Sequence, residues 1–141
     1  MAYAVGFTGT QRGMTPEQDE TVRKAFRRME DEGGSQWAAH GDCIGADAEF
    51  HDIAREFDMK VAIFPPENPS KRAWKEGDTC AEPKPYLDRN KDIVDEVDYM
   101  LATPGEFEEV LRSGTWSTIR YAIKQQVPVQ IVFPDGTEEW R

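Results

Sequence analysis

The stretch HGDCIGADAEFHDIA, His40 to Ala54, decides the fold. A run of small, turn-prone residues (Gly41, Asp42, Cys43, Ile44, Gly45, Ala46) separates the apolar segment QWAA from an amphipathic helix. Small residues at a strand-to-helix junction have two readings. The turn is tight for packing alone, or a ligand comes close to bare backbone there. The helix is expected to run from Gly45 to about Asp58, with Ala46, Phe50, Ile53, Ala54 and Phe57 as its apolar stripe.

The same strand–turn–helix pattern recurs along the chain. YAVGFTG (residues 3–9) is a short apolar run ending in Gly, as a buried strand would. Thr15, Pro16 and Gln18 supply an N-cap, a first helical position and a capping box. Val22, Phe26 and Met29 give that helix its inward face, and Gly33 and Gly34 are expected to stop it. QWAAH is the second strand, and KVAIFPP (60–66) is the third, ended by prolines. YLDRNKDIVDEV reads as a helix through Leu87, Ile93 and Val94, and DYMLATP as the fourth strand. SGTWSTIRYAIKQQ reads as a helix carrying Trp116, Ile119, Tyr121, Ala122 and Ile123. VPVQIVFPDG is the fifth strand, and residues 137–141 stay unassigned. Residues 67–85 form a polar insert without clear periodicity, longer than an ordinary connection, which marks a functional lid or a mobile segment.

Strands alternating with helices imply parallel pairing with right-handed crossovers. The expected fold class is α/β, a Rossmann-like three-layer α/β/α sandwich. Its sheet has five mostly parallel strands in the order 3-2-1-4-5, within one domain spanning residues 1–141. Ligands in such folds bind outside the carboxyl ends of the strands, where the strand order reverses. That edge collects GTQRG (9–13), GDCIGAD (41–47), the start of the insert and the segment leading into SGTWST (113–118). Two of these turns feed helix N-termini, where free N–H groups and the positive dipole end favour an anion.

Composition narrows the partners. With 17 basic and 27 acidic residues the net charge is −10, which opposes general DNA or RNA binding and an anionic membrane surface. The 11% aromatic content, with four Trp, argues against disorder. No apolar run is long enough to span a bilayer, and no signal peptide precedes the first strand, so a cytoplasmic location is expected. Cys43 and Cys80 have no metal-ligand spacing and read as free thiols, although their number alone leaves a disulfide open. No metal site and no cofactor are expected.

Taken together and in order, GFTGTQ, HGDCIGAD, YLDRNKDIVDEVDYMLATP and SGTWSTIRYA resemble the SLOG superfamily of Rossmann-like proteins. That group includes the LOG phosphoribohydrolases and the DprA-like and YpsA-like proteins. The small size and the GAD and RN signatures look most like the YpsA and YspA-like branch, often found in phages and bacterial conflict systems. The resemblance covers nearly the whole chain except the insert and the tail. It implies a nucleotide or nucleotide-derived ligand, such as an ADP-ribose derivative. LOG hydrolases follow a Gly-Gly-x-Gly-Thr turn with glutamates that serve in glycosidic-bond cleavage. Here Ser117 and Thr118 stand where those acids would be, and neutral hydroxyls cannot act as general acids or bases near neutral pH.

The candidate ligand-binding residues are Gly9, Thr10, Gln11, Arg12, Gly41, Asp42, Gly45, Ala46, Asp47, Arg89, Asn90, Ser113, Gly114, Thr115 and Thr118. Gly114, Thr115 and Thr118 would cradle a phosphate, Arg12 would pair with it, and Asp47 would accept a ribose hydroxyl. Arg89 and Asn90 are neighbours on a helix, so both face one spot only at a helix start. His40 reads as a satisfied strand-end histidine and His51 as a residue on the polar side of its helix. Trp37 and Trp116 read as core, the acidic run EFEE (106–109) as a solvated face, and Trp74 as either a cover for a bound base or a surface anchor.

Three functional classes follow. The first is a module that binds or senses a small nucleotide-derived ligand. The second is a nucleotide N-glycosidase or phosphoribohydrolase with its acid relocated to Asp42, Asp47 or Glu67. The third is an acidic protein-interaction module. The oligomeric state stays open, a homo-oligomer included.

Overall fold

The computed structural model describes residues 3–33 and 36–141. The elements in chain order are β1 (Ala4–Gly9), α1 (Pro16–Asp31), β2 (Trp37–His40), α2 (Ala46–Glu56), β3 (Lys60–Ile63), β4 (Thr79–Cys80), α3 (Tyr86–Glu96), β5 (Tyr99–Thr103), α4 (Gly114–Lys124), β6 (Val129–Val132) and β7 (Glu138–Trp140). They form a mostly parallel seven-stranded sheet ordered β4-β3-β2-β1-β5-β6-β7. The inner five strands follow the order expected from the sequence, with β1 beside β5 at the switch point.

The five-strand expectation is short by two edge strands. Thr79–Cys80 of the insert pairs parallel to β3. The unassigned tail turns back at Gly136 and pairs antiparallel to β6, register Ile131↔Glu139. Neither segment has the apolar run that marks a buried strand.

The three layers follow from the two-residue period of the strands. On β5, Tyr99 and Leu101 face one core with Val5, Phe7, Val22, Phe26, Phe50 and Ile53. Met100 and Ala102 face the other, with Ile93, Val94, Trp116, Ile119 and Ile131. Phe7 stacks on Phe50 with centroids 4.4 Å apart, locking β1 to α2. Gly6 lies beneath α3; a side chain there would overlap Met100.

Helix boundaries follow their caps. The Thr15–Gln18 capping box opens α1, and Thr15 Oγ1 also donates to Pro134 O at 2.7 Å. The helix ends at Asp31, Gly33 adopts φ +64°, and Gly34 lies outside the described residues.

Several side chains depart from their expected places. Leu87 and Ile123 are exposed, because Arg89 with Ile93 and Val94 forms the buried stripe of α3, and Ile123 lies beyond the buried face of α4. Trp116 is core, but Trp37 is half-buried under the Lys60 ammonium, 5.6 Å from its ring centroid. His51 is buried rather than on a solvated face. The insert covers that side of α2, with Lys75 Nζ 3.0 Å from Asp52 and Arg55 bonded to Asp78 at 2.8 Å.

Candidate functional site

At the carboxyl edge of β1, β2 and β5 lies a cleft of about 420 Å³. Of the sequence candidates, Gly9, Thr10, Gln11, Arg12, Gly41, Asp47, Arg89, Asn90, Ser113, Gly114 and Thr115 line it together. Asp42, Gly45, Ala46 and Thr118 do not. Cys43, Tyr86 and Glu106 also line it. Cys43 stood inside the small-residue turn and Tyr86 opened the YLDRN helix, but neither side chain carries a motif that would single it out.

The opening question of the small-residue turn has a packing answer at two positions. Gly45 takes φ +91°, and a Cβ there would overlap the Gln11 backbone. The β1–α1 turn therefore lies directly on the start of α2, and Ala46 N–H donates to Thr10 O at 3.0 Å. Gly41 leaves room for the Arg89 guanidinium, which a Cβ would overlap. Gly41 still borders the cleft, whereas Gly45 and Ala46 are occupied by contacts within the chain.

Arg89 is a tether. Its Nη1 donates to Gly41 O and, at 3.0 Å, to Phe64 O; its Nη2 donates to Cys43 Sγ at 3.0 Å and its Nε to Asn90 Oδ1 at 2.6 Å. Four of its five N–H donors are thus engaged, and the side chain is buried. It ties the first turn of α3 to the ends of β2 and β3. This position at the helix start is why Arg89 and Asn90 border the same cleft.

Asp42 turns away from the cleft. It has φ +54°, a left-handed conformation that Asp tolerates better than most residues. Its fully buried carboxylate accepts Arg72 Nε at 2.8 Å and Lys75 N–H at 3.0 Å, and its carbonyl accepts Ala73 N–H at 2.7 Å. Asp42 therefore clasps the insert to the site turn. Arg72 in turn lies 4.2 Å from the Trp74 ring centroid, which makes exposed Trp74 an anchor for the insert.

Behind Asp42 sits a histidine pair. Asp42 N–H donates to His40 Nδ1 at 2.9 Å, so that nitrogen is unprotonated and Nε2 carries the hydrogen. Nε2 then donates to His51 Nδ1, 2.9 Å away. Burial, and then the charge each ring would feel from the other and from Arg89, hold the His40 pKa well below the ordinary value; burial also lowers that of His51. Both rings are neutral structural links.

Asp47 behaves differently. Its carboxylate accepts Cys43 N–H at 3.1 Å and also a hydrogen bond from the Gly41 backbone. The residue is 7% exposed and borders the cleft. Burial pushes its pKa up to about 6, against the opposing pull of Arg89. Burial likewise raises the Cys43 thiol. Cys43 and Cys80 are both free.

The opposite wall is the start of α4. Ser113 caps the helix, its Oγ accepting Trp116 N–H at 3.2 Å. Among the described residues, the N–H groups of Gly114 and Thr115 have no acceptor, as expected for a first helical turn. Among the described residues, a Cβ at Gly114 would meet only the Tyr86 ring, 3.5 Å away. Thr118 lies outside this cradle because its hydroxyl donates back to Gly114 O at 2.9 Å. No acid occupies the first turn of α4.

Two charges complete the rim. Arg12 is largely exposed and lies 3.5 Å from Glu106. Glu106 also accepts Trp116 Nε1–H at 3.0 Å, so the EFEE run is not simply a solvated face. Glu109 pairs with Arg120 at 2.7 Å. Among the described residues no group of His, Cys, Asp or Glu could hold a metal ion, and no helix is long and apolar enough to cross a membrane.

No protein-family model matches the sequence, and no curated protein matches it. The fold does have similar solved structures. The molybdenum cofactor binding protein from the phototrophic bacterium Rippkaea orientalis has a TM-score of 0.73 at 18% identity, covering 94% of this chain and 77% of that one. The molybdenum cofactor carrier protein from Chlamydomonas reinhardtii has a TM-score of 0.66 at 14% identity, covering 93% and 76%. DNA processing protein A from Streptococcus pneumoniae has a TM-score of 0.67 at 16% identity, covering 92% of this chain and 50% of that one. These likenesses show that the chain shares a Rossmann-like fold with those proteins.

Proposed function

We propose that this chain binds a small phosphorylated ligand, a nucleotide or nucleotide-derived compound, and holds or senses it rather than converting it. One observation carries the reading. The cleft brings the unpaired N–H groups of Gly114 and Thr115 into the same space as the buried carboxylate of Asp47, which accepts from the Cys43 and Gly41 backbone. A helix N-terminus favours an anion. A carboxylate has about four lone-pair sites, so two backbone bonds leave it capacity to accept from a ligand hydroxyl or N–H. A phosphorylated sugar or a similar compound supplies both. Two proteins of similar fold are described as a binding protein and a carrier protein for the molybdenum cofactor, which agrees with a role in holding a small molecule.

The absence of an acid from the first turn of α4 supports holding over hydrolysis. A second reading, glycosidic-bond cleavage, retains one specific support: Asp47 is partly protonated near neutral pH and could donate a proton. Asp42 is unsuited to that role, being consumed by Arg72 and Lys75. The two readings separate when purified protein is incubated with a nucleotide library and the bound and converted species are identified by mass spectrometry. Retained, unchanged ligand supports binding. Steady release of free base, lost in Asp47→Asn, replaces binding by hydrolysis.

A further inference from the structure

Beside the anion cleft lies a second cavity of about 400 Å³, and the two share Gln11, Cys43, Tyr86 and Arg89 as a common wall. Its remaining lining comes from the two ends of the insert, notably Pro66, Glu67, Lys71 and Pro85. These walls are fixed. Glu67 N–H donates to Lys84 O at 2.9 Å and Lys84 N–H to Pro65 O at 3.3 Å, so the ends of the insert bracket each other. Ile44 N–H donates to Lys71 O at 3.0 Å, which joins the insert to the site turn. The Arg89 tether holds the common wall.

The lining has a specific chemistry. Pro66, Pro85 and the half-exposed ring of Tyr86 offer flat apolar surface. Glu67 and Lys71 add a carboxylate and an ammonium, neither of which has a side-chain partner among the described residues. An opposite-signed pair that does not neutralise itself suits a ligand edge that presents donors beside an acceptor.

We propose that this second cavity holds the planar ring of the ligand whose phosphate sits at α4, and that the ring carries a 2-amino-4-oxopyrimidine edge. The proposal rests on the anion-binding reading above. Guanine and pterins share that edge. Its ring N–H and amino group are parallel donors that a carboxylate such as Glu67 accepts together, and its carbonyl oxygen accepts from an ammonium such as Lys71. Adenine places a lone pair where that edge has its ring N–H, so it would set a lone pair against Glu67. The ring face lies on proline and Tyr86 surface.

Calorimetric titration of the full chain with inorganic phosphate, guanosine monophosphate, adenosine monophosphate and a hydroxymethylpterin monophosphate tests this. Guanosine monophosphate is expected to bind about tenfold or more tightly than adenosine monophosphate, the discrimination of one bidentate pair. Glu67→Gln, at an exposed position that the fold tolerates, should narrow that gap to less than about threefold. If the pterin ester binds more tightly than guanosine monophosphate, pterin is the source of the edge; if less tightly, guanine is. Equal or reversed affinity for the two nucleotides, with phosphate still bound, overturns the ring assignment and leaves the anion site standing. Binding of none of the four overturns both.

Discussion

Replacing Asp47 by Asn keeps the shape of the side chain and the acceptor for Cys43 N–H, but removes the buried charge. The Asp47 pKa moves from the ordinary 3.8 to about 6 on folding, chiefly through burial. A carboxyl shifted that far makes the folded state less stable at neutral pH by about 3 kcal/mol. The sign follows from proton uptake. Because the folded-state pKa is raised, the folded state binds more protons, and stability is highest below pH 3.8 and is lost as pH rises through 6. Asp47→Asn should therefore match wild type near pH 3.5 and exceed it by up to about 3 kcal/mol at pH 7. For a chain of this size that is a rise in Tm of roughly 9 °C. The assay is urea or thermal denaturation of both proteins between pH 3.5 and pH 7. The difference between them cancels the histidines, since Asp47 is not among the groups that shift His40 or His51. The same variant should bind a phosphorylated ligand about tenfold or more weakly, a gain of stability at the expense of function. A variant no more stable than wild type at pH 7, or one whose advantage is unchanged at pH 3.5, refutes the reasoning.

Other outcomes follow from the same contacts. Gly114→Val adds methyl groups at the anion cradle with only the Tyr86 ring nearby, so calorimetry should show phosphate affinity reduced about tenfold or more with little change in Tm. Arg89→Met strands the Gly41 and Phe64 carbonyls, and chemical denaturation should register a loss on the order of 3 kcal/mol; a loss near zero would mean that Arg89 is not the tether described. The neutral His40–His51 pair resists protonation, so it favours the fold above the ordinary histidine pKa of 6.5 and weakens it as pH falls below that value. An NMR titration of the imidazole carbons should find His40 unprotonated from pH 8 down to 6; a midpoint near 6.5 contradicts the assigned tautomers.

The inner sheet and the edge where the cleft forms were legible because they rest on local signals. Apolar runs ending in Gly, the Thr15–Gln18 capping box and alternating periods of two and about 3.6 residues each fix an element without its neighbours. What was illegible depends on residues far apart in sequence. Arg89 reads as a ligand-facing cation until Gly41 O and Phe64 O, 48 and 25 residues away, are seen to hold it. Asp42 and Asp47 stand five residues apart in the same turn, yet one clasps the insert and the other faces the cleft, and only the backbone conformation at Asp42 separates them. His51 read as solvated because periodicity sees only its own helix, not the insert packed across it. The edge strands Thr79–Cys80 and Glu138–Trp140 are too short and too polar to announce themselves.

The central claim, that the cleft between α2 and α4 takes a phosphorylated small molecule, is tested most directly by following backbone amides during NMR titration with inorganic phosphate and then with a nucleoside monophosphate. The account predicts saturable shifts of the Gly114 and Thr115 amides with phosphate, joined by those of the Gly41–Asp47 turn when the nucleotide is added. Saturable shifts that leave Gly114 and Thr115 unmoved, or no shifts at millimolar ligand, would contradict it.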